Sequence, residues 1–299
     1  MSPDRVYERK EVLVSIEGVS LTLDGRSILR NVNARVHNIV RPGLQQGQVV
    51  GFLGPSGIGK SQLCRIIAGL QKPDAGTVRL TPRQTLVEVG KVGRVSQTYN
   101  LLMHQSVLEN LLIAGWSEAY ATYRIPTVAY AIDRLFSLEK SPYHQLRERA
   151  LGFLERFGLL DRADAYPAEL SGGQRQRVAI AQQLMRGTQL LLMDEPFTGL
   201  DPLNKETVCR LISEVAALDS LFTIIIVAHD ISALVSVADT LWLLGRNRDE
   251  RGQIIPNGGA SIQKEYDLIE RGLAWQPDIR LLPAFSDSVR EVTADFTRL

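Results

Sequence analysis

The sequence predicts an α/β fold built on a buried parallel sheet, and three strand-to-turn junctions carry that prediction. Each is a short apolar run that stops abruptly: residues 49–53 before a glycine-rich turn, 190–193 before Asp194 and Glu195, and 223–228 before His229. Continuous apolar runs of this kind suit strands covered on both faces, and in such sheets ligands bind in the crevice beyond the carboxyl ends of the strands.

The first junction reads as a strand, then Gly54, Pro55, Ser56, Gly57, Ile58, Gly59, Lys60, Ser61 and Gln62, then a helix over 63–70. Strand, GxxxxGKS and helix together make a phosphate-binding loop. Gly54, Gly57 and Gly59 let the backbone curl with its N–H groups inward, where the helix N-terminus adds partial positive charge. Lys60 brings a full charge to the β- and γ-phosphates, and the Ser61 hydroxyl can meet Mg²⁺.

The second junction supplies the acids. Four large apolar residues followed by two carboxylates read as a central strand opening onto the same crevice. Asp194 is placed to hold the Mg²⁺, directly or through its water. Glu195, one residue on, can accept a proton from an attacking water.

Leu170-Ser171-Gly172-Gly173-Gln174 forms a second glycine-rich turn, too distant in sequence to belong to the first cradle. Ser171 is a good N-cap for a following helix whose apolar positions Val178, Ala181, Leu184 and Met185 recur at helical spacing. Two glycines after the cap weaken a helix start by up to about 1 kcal/mol each relative to alanine, which makes sense if a phosphate must approach the backbone.

With these motifs quoted, the chain resembles the ATP-binding cassette (ABC) family, whose signature is LSGGQ. The resemblance implies a P-loop NTPase (RecA-like) core with an antiparallel β-subdomain, a helical subdomain and a short C-terminal extension. It implies ATP and Mg²⁺ as cofactors. It also implies that Ser171, Gly172, Gly173 and Gln174 reach the γ-phosphate bound by a second cassette. Gln97, after the run Arg94-Val95-Ser96, is similar to the glutamine that senses Mg²⁺ and γ-phosphate; Asp201 lies in a Gly-Leu-Asp segment like the loop that crosses the dimer interface; His229 looks like the switch histidine.

The family stacks an aromatic ring on adenine from a loop upstream of the phosphate cradle. Here the matching stretch, residues 20–25, offers Leu23, which can bury the base without aromatic geometry and leaves adenine or guanine open. Residues 38–48 read as a lengthened surface hairpin before the strand at 49.

Composition bounds the rest. At 299 residues and 44% hydrophobic the chain can bury a substantial core, which excludes a disordered protein. Thirty-four Lys and Arg against 33 Asp and Glu leave a net charge of +1, so no bulk attraction to nucleic acid or anionic membrane is expected. Cys64 and Cys209 lack metal-type spacing and read as free thiols in a reducing compartment. The apolar runs fall far short of the roughly 20 residues a membrane helix needs, and the polar N-terminus carries no apolar signal region, so a cytoplasmic protein is expected, which the family resemblance places peripherally on the inner face of the membrane.

The motif order divides the chain into 1–97, an N-terminal β-subdomain with the phosphate-loop half of the core; 98–170, helical; 171–245, the half bearing the acids and the switch; and 246–299, a C-terminal extension. Residues 12–23 read as a strand pair. An aromatic-rich stretch from Trp116 to Tyr143 reads as packing within the helical part or as a docking surface. The last core strand is placed near 239–244, a loop or hairpin over 245–262, a helix over 264–272, and a capped helix over 286–299 with Val289, Val292 and Phe296 on one face. The extension is either a regulatory or dimer-stabilising appendage or a tail packed on its own core.

The function expected is the ATPase subunit of a transporter that works as a dimer around two ATP, with a separate transmembrane permease and a solute-binding protein as partners. Import is expected because the family's importers keep the membrane part on another chain, and residues 266–275 are similar to cassettes of the nitrate, sulfonate and taurine group. In the family, residues 98–110 lie where the permease docks. The competing class is a non-transport ABC ATPase acting on nucleic acid or ribosomes.

Overall fold

A computed structural model describes residues 7–41, 43, 46–80, 85–96, 98–123, 141–276 and 278–299, with side chains of 117–123 outside that description. It divides into two compact units, one of residues 1–92 and 189–299, the other Gly93–Thr188.

The first unit begins with two long strands, β1 (Glu8–Leu23) and β2 (Arg26–Val40), paired antiparallel so that Leu23 faces Arg26 across the turn. The expected strand pair over 12–23 is therefore one strand whose mate follows it. The signal was present in the Asp24-Gly25 dipeptide: both residues take left-handed φ, 50° and 73°, as a two-residue hairpin turn requires.

From there the chain runs through β3 (Gln48–Leu53), α1 (Lys60–Ile67), β4 (Ala75–Leu80) and the short β5 (Thr85–Leu86). After the second unit it returns with β7 (Leu190–Asp194), β8 (Thr223–Val227), β9 (Thr240–Arg246) and β10 (Ala260–Asp267). In space the strands of this unit lie in the order β5–β4–β1–β2–β10–β9–β3–β8–β7. Strands β7, β8, β3 and β9 are mutually parallel, and every residue of β3 and β8 is buried. The apolar runs thus become adjacent parallel strands, and their carboxyl ends share one edge of the sheet.

The second unit holds β6 (Gly93–Val95) and the helices α2 (Val107–Tyr123), α3 (Pro142–Arg156) and α4 (Gly172–Met185). The signature helix thus groups with the helices before it, and the boundary drawn from motif order at 170 falls instead after Thr188. At Gly115 a Cβ would meet Leu146 Cδ1 at 2.6 Å and Met185 Cε at 2.7 Å. A side chain there would have to displace the ends of Leu146 and Met185, so glycine lets α2 lie close to α3 and α4. Of the aromatic-rich stretch, Tyr130 and Phe136 lie outside the described residues, as do the side chains of Tyr120 and Tyr123.

Two readings of the chain are corrected. In the segment at 38–48, read as a surface hairpin, the described residues Arg41, Gln46 and Gln48 are buried, with Arg41 paired to the fully buried Asp239. The helix expected over 264–272 is instead the end of strand β10 (to Asp267) followed by a turn over 268–272, because residues 264–267 pair with 240–243 of β9 and seat Tyr266 at 1% exposure. Cross-strand burial overrides the local pattern there.

The rest of the chain comprises α5 (Pro202–Ala216), α6 (Ile231–Val237) and α7 (Pro283–Thr297). Helix α7 starts three residues before Ser286, with Pro283 in its first turn and no side-chain cap, and Val292 is buried with Val289 and Phe296 half-buried beside it. Its acids grip β10: Lys264 Nζ lies 2.9 Å from Glu291 and 2.6 Å from Asp295, Tyr266 Oη donates to Asp295 at 2.7 Å, and Arg271 Nη1 donates to Glu291 at 2.7 Å. The extension packs on its own core through these contacts.

Hydrogen bonds from Arg271 and Lys264 hold the Glu291 carboxyl down at about 2, below the ordinary 4.5. A depressed acid adds stability that is complete above the unfolded value and is lost as pH falls through the folded one. Thermal denaturation should therefore show stability falling from about pH 4.5 toward about pH 2, with a shallower fall in Glu291→Gln. Identical slopes in the two proteins would remove this network from the acid sensitivity.

Candidate functional site

The glycine loop forms where the sequence placed it, between β3 and α1. Gly59 is the N-cap of α1 with φ 111°, and a Cβ there would meet Ile28 Cγ2 at 2.9 Å, so backbone conformation and close approach both demand glycine. Gly54 is held by proximity instead: a Cβ there would meet the Leu244 carbonyl oxygen at 2.6 Å. Helix α1 starts at Lys60, three residues earlier than the expected 63, which puts both Lys60 and Ser61 in its first turn. Ser61 is exposed and Gln62 half-buried.

Lys60 folds into the loop, its Nζ donating to Gly54 O at 2.7 Å and Pro55 O at 3.1 Å. Burial lowers the pKa of its ammonium, while the carboxylates of Glu195 and Asp194 pull the other way. The positive charge therefore sits within electrostatic reach of both acids that end β7.

Asp194 closes β7 opposite Val227 of β8, and Glu195 follows with φ 53°, a left-handed conformation rare for a residue with a branched-off side chain. Its N–H donates to Val227 O at 2.7 Å, which fixes the reversal. Strain of this kind costs of order 1–3 kcal/mol and persists only where surroundings enforce it. The turn throws the Glu195 side chain toward the next strand end, where His229 Nδ1 stands 2.7 Å from Glu195 Oε2 and Thr198 Oγ1 donates to the same oxygen at 3.1 Å. The carboxylate accepts, so the ring proton sits on Nδ1. The second ring nitrogen is directed away from this bond, on a side chain 63% exposed.

Sequence reasoning missed the next layer. Asp230 caps α6 by accepting from Ala233 N at 2.9 Å, and Lys205 Nζ reaches its other oxygen at 2.6 Å. Burial pushes the Asp230 carboxyl up, but the bonds from Lys205 and the Ala233 N–H outweigh it and leave it lowered. Asp201 caps α5, accepting from Asn204 N at 3.0 Å, one turn before Lys205. The segment bearing Asp201 and the residue after His229 are thereby joined through one helix. An Asp beside His229 and a Lys one turn past an N-cap were the available signals, but only folding shows that they meet. Leu23 is half-buried at the end of β1, packed with Ile28 on the core.

In the second unit, Ser171 caps α4 as expected. Gln174 N donates to Ser171 Oγ at 3.3 Å and Gln174 Oε1 accepts from Ser171 N at 2.9 Å, a reciprocal capping box. A Cβ at Gly172 or Gly173 would meet nothing within 4 Å. Neither glycine is required by packing of this chain on itself. Arg175 Nη1 donates to Leu170 O at 2.6 Å and Arg177 Nη1 to Phe157 O at 2.7 Å, so the arginines after the signature brace this turn and the end of α3.

Gln97 lies outside the described residues. Just beyond it Tyr99 and Asn100 both take left-handed φ, 62° and 49°. The loop that follows is stapled by the buried Asn110, which accepts from Leu102 N at 2.8 Å and donates to Ser106 O at 2.9 Å, while Met103 is 54% exposed.

Among the described residues no cluster of three or more metal-type ligands occurs, and no helix is long and apolar enough to cross a membrane.

The family description "ABC transporter" matches residues 38–198, more than half of the chain. The chain belongs to the ABC transporter family. It is similar to an aliphatic sulfonates import ATP-binding protein of Cupriavidus pinatubonensis, 34% identical over 295 residues that cover 96% of this cassette and 85% of that protein. It is also similar to a methionine import ATP-binding protein of Carboxydothermus hydrogenoformans, 31% identical over 244 residues, 79% of this cassette; the match spans 64% of the length of that relative.

Among solved structures, the cassette matches one from Clostridium perfringens described as part of an ABC transporter complex, with a TM-score of 0.67 at 22% identity and 97% coverage of each chain. A second is a dimeric cassette in a post-hydrolysis state bound to ADP and phosphate, with a TM-score of 0.59 at 25% identity, covering 86% of this chain and 99% of that one. The first likeness shows the fold, and the P-loop NTPase class expected from the motifs is the one observed.

Proposed function

We propose that this cassette hydrolyses ATP as the motor subunit of an ABC importer, as a dimer docked on a separate permease at the cytoplasmic face of the membrane, with a solute-binding protein delivering cargo. The observation that carries the catalytic part is the 2.7 Å contact between His229 and a strained Glu195, at the ends of the neighbouring strands β8 and β7, with β8 beside the strand that leads into the Lys60 loop.

The roles follow from the chemistry. Gly54 to Gln62 cradle the phosphates with backbone N–H groups, and Lys60 neutralises the β- and γ-phosphates. Leu23 covers the base. A water oxygen attacks the γ-phosphorus, its proton passes to Glu195, and the bond to the bridging oxygen breaks to release ADP and phosphate. His229 holds Glu195 in place through Nδ1–H. Its Nε2 is a donor toward the γ-phosphate only when the ring is protonated.

Ser61 and Asp194, with Gln97, are the residues that would hold Mg²⁺. A hydroxyl and a carboxylate are hard oxygen donors suited to that ion, and the Lys60 ammonium feels the Asp194 charge, which puts the acid beside the phosphate loop. When bound, the ion offsets charge on the phosphate oxygens.

The signature turn completes the reaction from the other protomer. Ser171, Gly172, Gly173 and Gln174 lie in the second unit, open on their outer side and with no internal reason for paired glycines, which suits a surface met by a phosphate. Asp201 lies on the segment that would cross between protomers, and the tie from Lys205 to Asp230 carries its position to His229.

Relatives named for import of methionine, aliphatic sulfonates and sulfate or thiosulfate favour transport over action on nucleic acid or ribosomes. Their names differ in solute, which supports a reading in which solute choice lies with the permease and its binding protein.

Ser171→Arg should cut hydrolysis by on the order of 10²-fold or more while the isolated chain still binds ATP. Turnover at the wild-type rate, measured across a dilution series, would rule out a site shared between protomers.

A further inference from the structure

The turn that carries the base contact is held by a residue 230 positions away. Asp24 and Gly25 close β1 onto β2, and the β2 arm abuts the phosphate loop, since Ile28 Cγ2 and Leu29 Cδ2 would lie 2.9 Å and 3.1 Å from a Cβ at Gly59. On its other side stands the hairpin between β9 and β10. On its returning arm, just before β10, Asn257 takes a left-handed φ of 54°, accepts from Ser27 N at 2.6 Å and donates to Gly25 O at 3.3 Å.

That arm is bonded to the one opposite it. Asn247 N donates to Gly259 O at 3.0 Å, Asn247 Nδ2 to Gly258 O at 2.9 Å, and Ile255 N to Asn247 O at 2.9 Å. Next to Asn257, Gly259 lies so close to β2 that a Cβ would meet Ser27 Oγ at 2.6 Å. One side chain therefore bridges both backbone groups that flank Arg26.

Leu23 is the residue that precedes this turn, and an aliphatic side chain orients a purine ring less specifically than an aromatic one. How well the base is placed then depends on how firmly the turn is fixed beside the phosphate loop. Fixing a loop in its bound geometry improves affinity by reducing the ordering cost of binding.

We infer that Asn257 is a positioning residue for the nucleotide base, acting through the Gly25–Ser27 backbone to hold the Leu23 wall over the phosphate cradle. This rests on the reading of Leu23 as the base contact.

The test compares ligands with and without a base on the full chain. Asn257→Gly keeps the left-handed backbone and deletes both bonds; Asn257→Asp keeps the acceptor for Ser27 N alone. Affinities for ATP and for inorganic tripolyphosphate are measured by titration, with melting temperatures alongside. Asn257→Gly should weaken ATP by about three- to tenfold and leave tripolyphosphate unchanged, with Asn257→Asp between it and wild type.

Equal weakening of both ligands, or a lower melting temperature with ATP affinity intact, would overturn the inference, because a merely structural residue gives those results. Leu23→Ala separates the two readings. If it weakens ATP selectively while Asn257→Gly does not, the inference falls and the Leu23 contact stands; if neither variant changes ATP binding, both fall.

Discussion

Glu195→Gln is expected to bind ATP with near wild-type affinity and to lose roughly 10²–10⁴-fold in hydrolysis, about 3–5 kcal/mol of barrier. The amide is the same size and can still meet Thr198 and His229, so the reversal at φ 53° survives and the loop around Lys60 is untouched. What the amide lacks is a basic oxygen for the proton of the attacking water. Single-turnover phosphate release read beside ATP binding separates these effects. Hydrolysis within tenfold of wild type would transfer the base to another group. A variant that accumulates as an ATP-bound dimer would support the composite site at the same time.

Asp239→Asn is expected to lower stability by about 3–5 kcal/mol without touching the site. Asp239 is fully buried, pairs with the buried Arg41, and accepts from Val49 N at 2.7 Å and from Trp275 Nε1 at 2.7 Å. Burial pushes its carboxyl up, and the charge of Arg41, the Val49 N–H and the other bonds pull it back. Replacing it leaves a guanidinium desolvated with no counter-charge. At roughly 2–4 °C per kcal/mol for a domain of this size, the melting temperature should fall by about 6–20 °C. Arg41→Met added to Asp239→Asn should recover much of the loss, because the penalty lies in the orphaned charge. A shift of under about 2 °C in the single variant would mean that the pair contributes little.

This cluster also explains the segment before β3. Its Pro, Gly and Gln residues look like a surface turn, and local composition does predict loops. The burial of Arg41 arises from Asp239 and Trp275, neither of which is near it in sequence. No local pattern could reveal it.

The phosphate loop, the acids after β7, the histidine after β8 and the capped signature helix were all legible in the sequence. Each depends on chemistry packed into a few consecutive residues, such as a glycine at φ 111° or a serine oxygen three residues before the N–H it accepts from. The same locality would have revealed the Asp24-Gly25 turn. Strand β10 was missed because its partner lies some 20 residues upstream, and its alternation is interrupted by a bulge between Ile262 and Lys264.

By itself the sequence determined the family, the strand ends of the candidate site and the residue types offered there, because short motifs specify backbone turns and donor atoms locally. Tertiary structure alone decided that His229 touches Glu195, that Lys205 ties the Asp201 helix to Asp230, and that Asn257 clamps Gly25 and Ser27. Those contacts join segments 25 to 230 residues apart, and what brings them together is the parallel register of buried strands, a property of the whole sheet rather than of any stretch of chain.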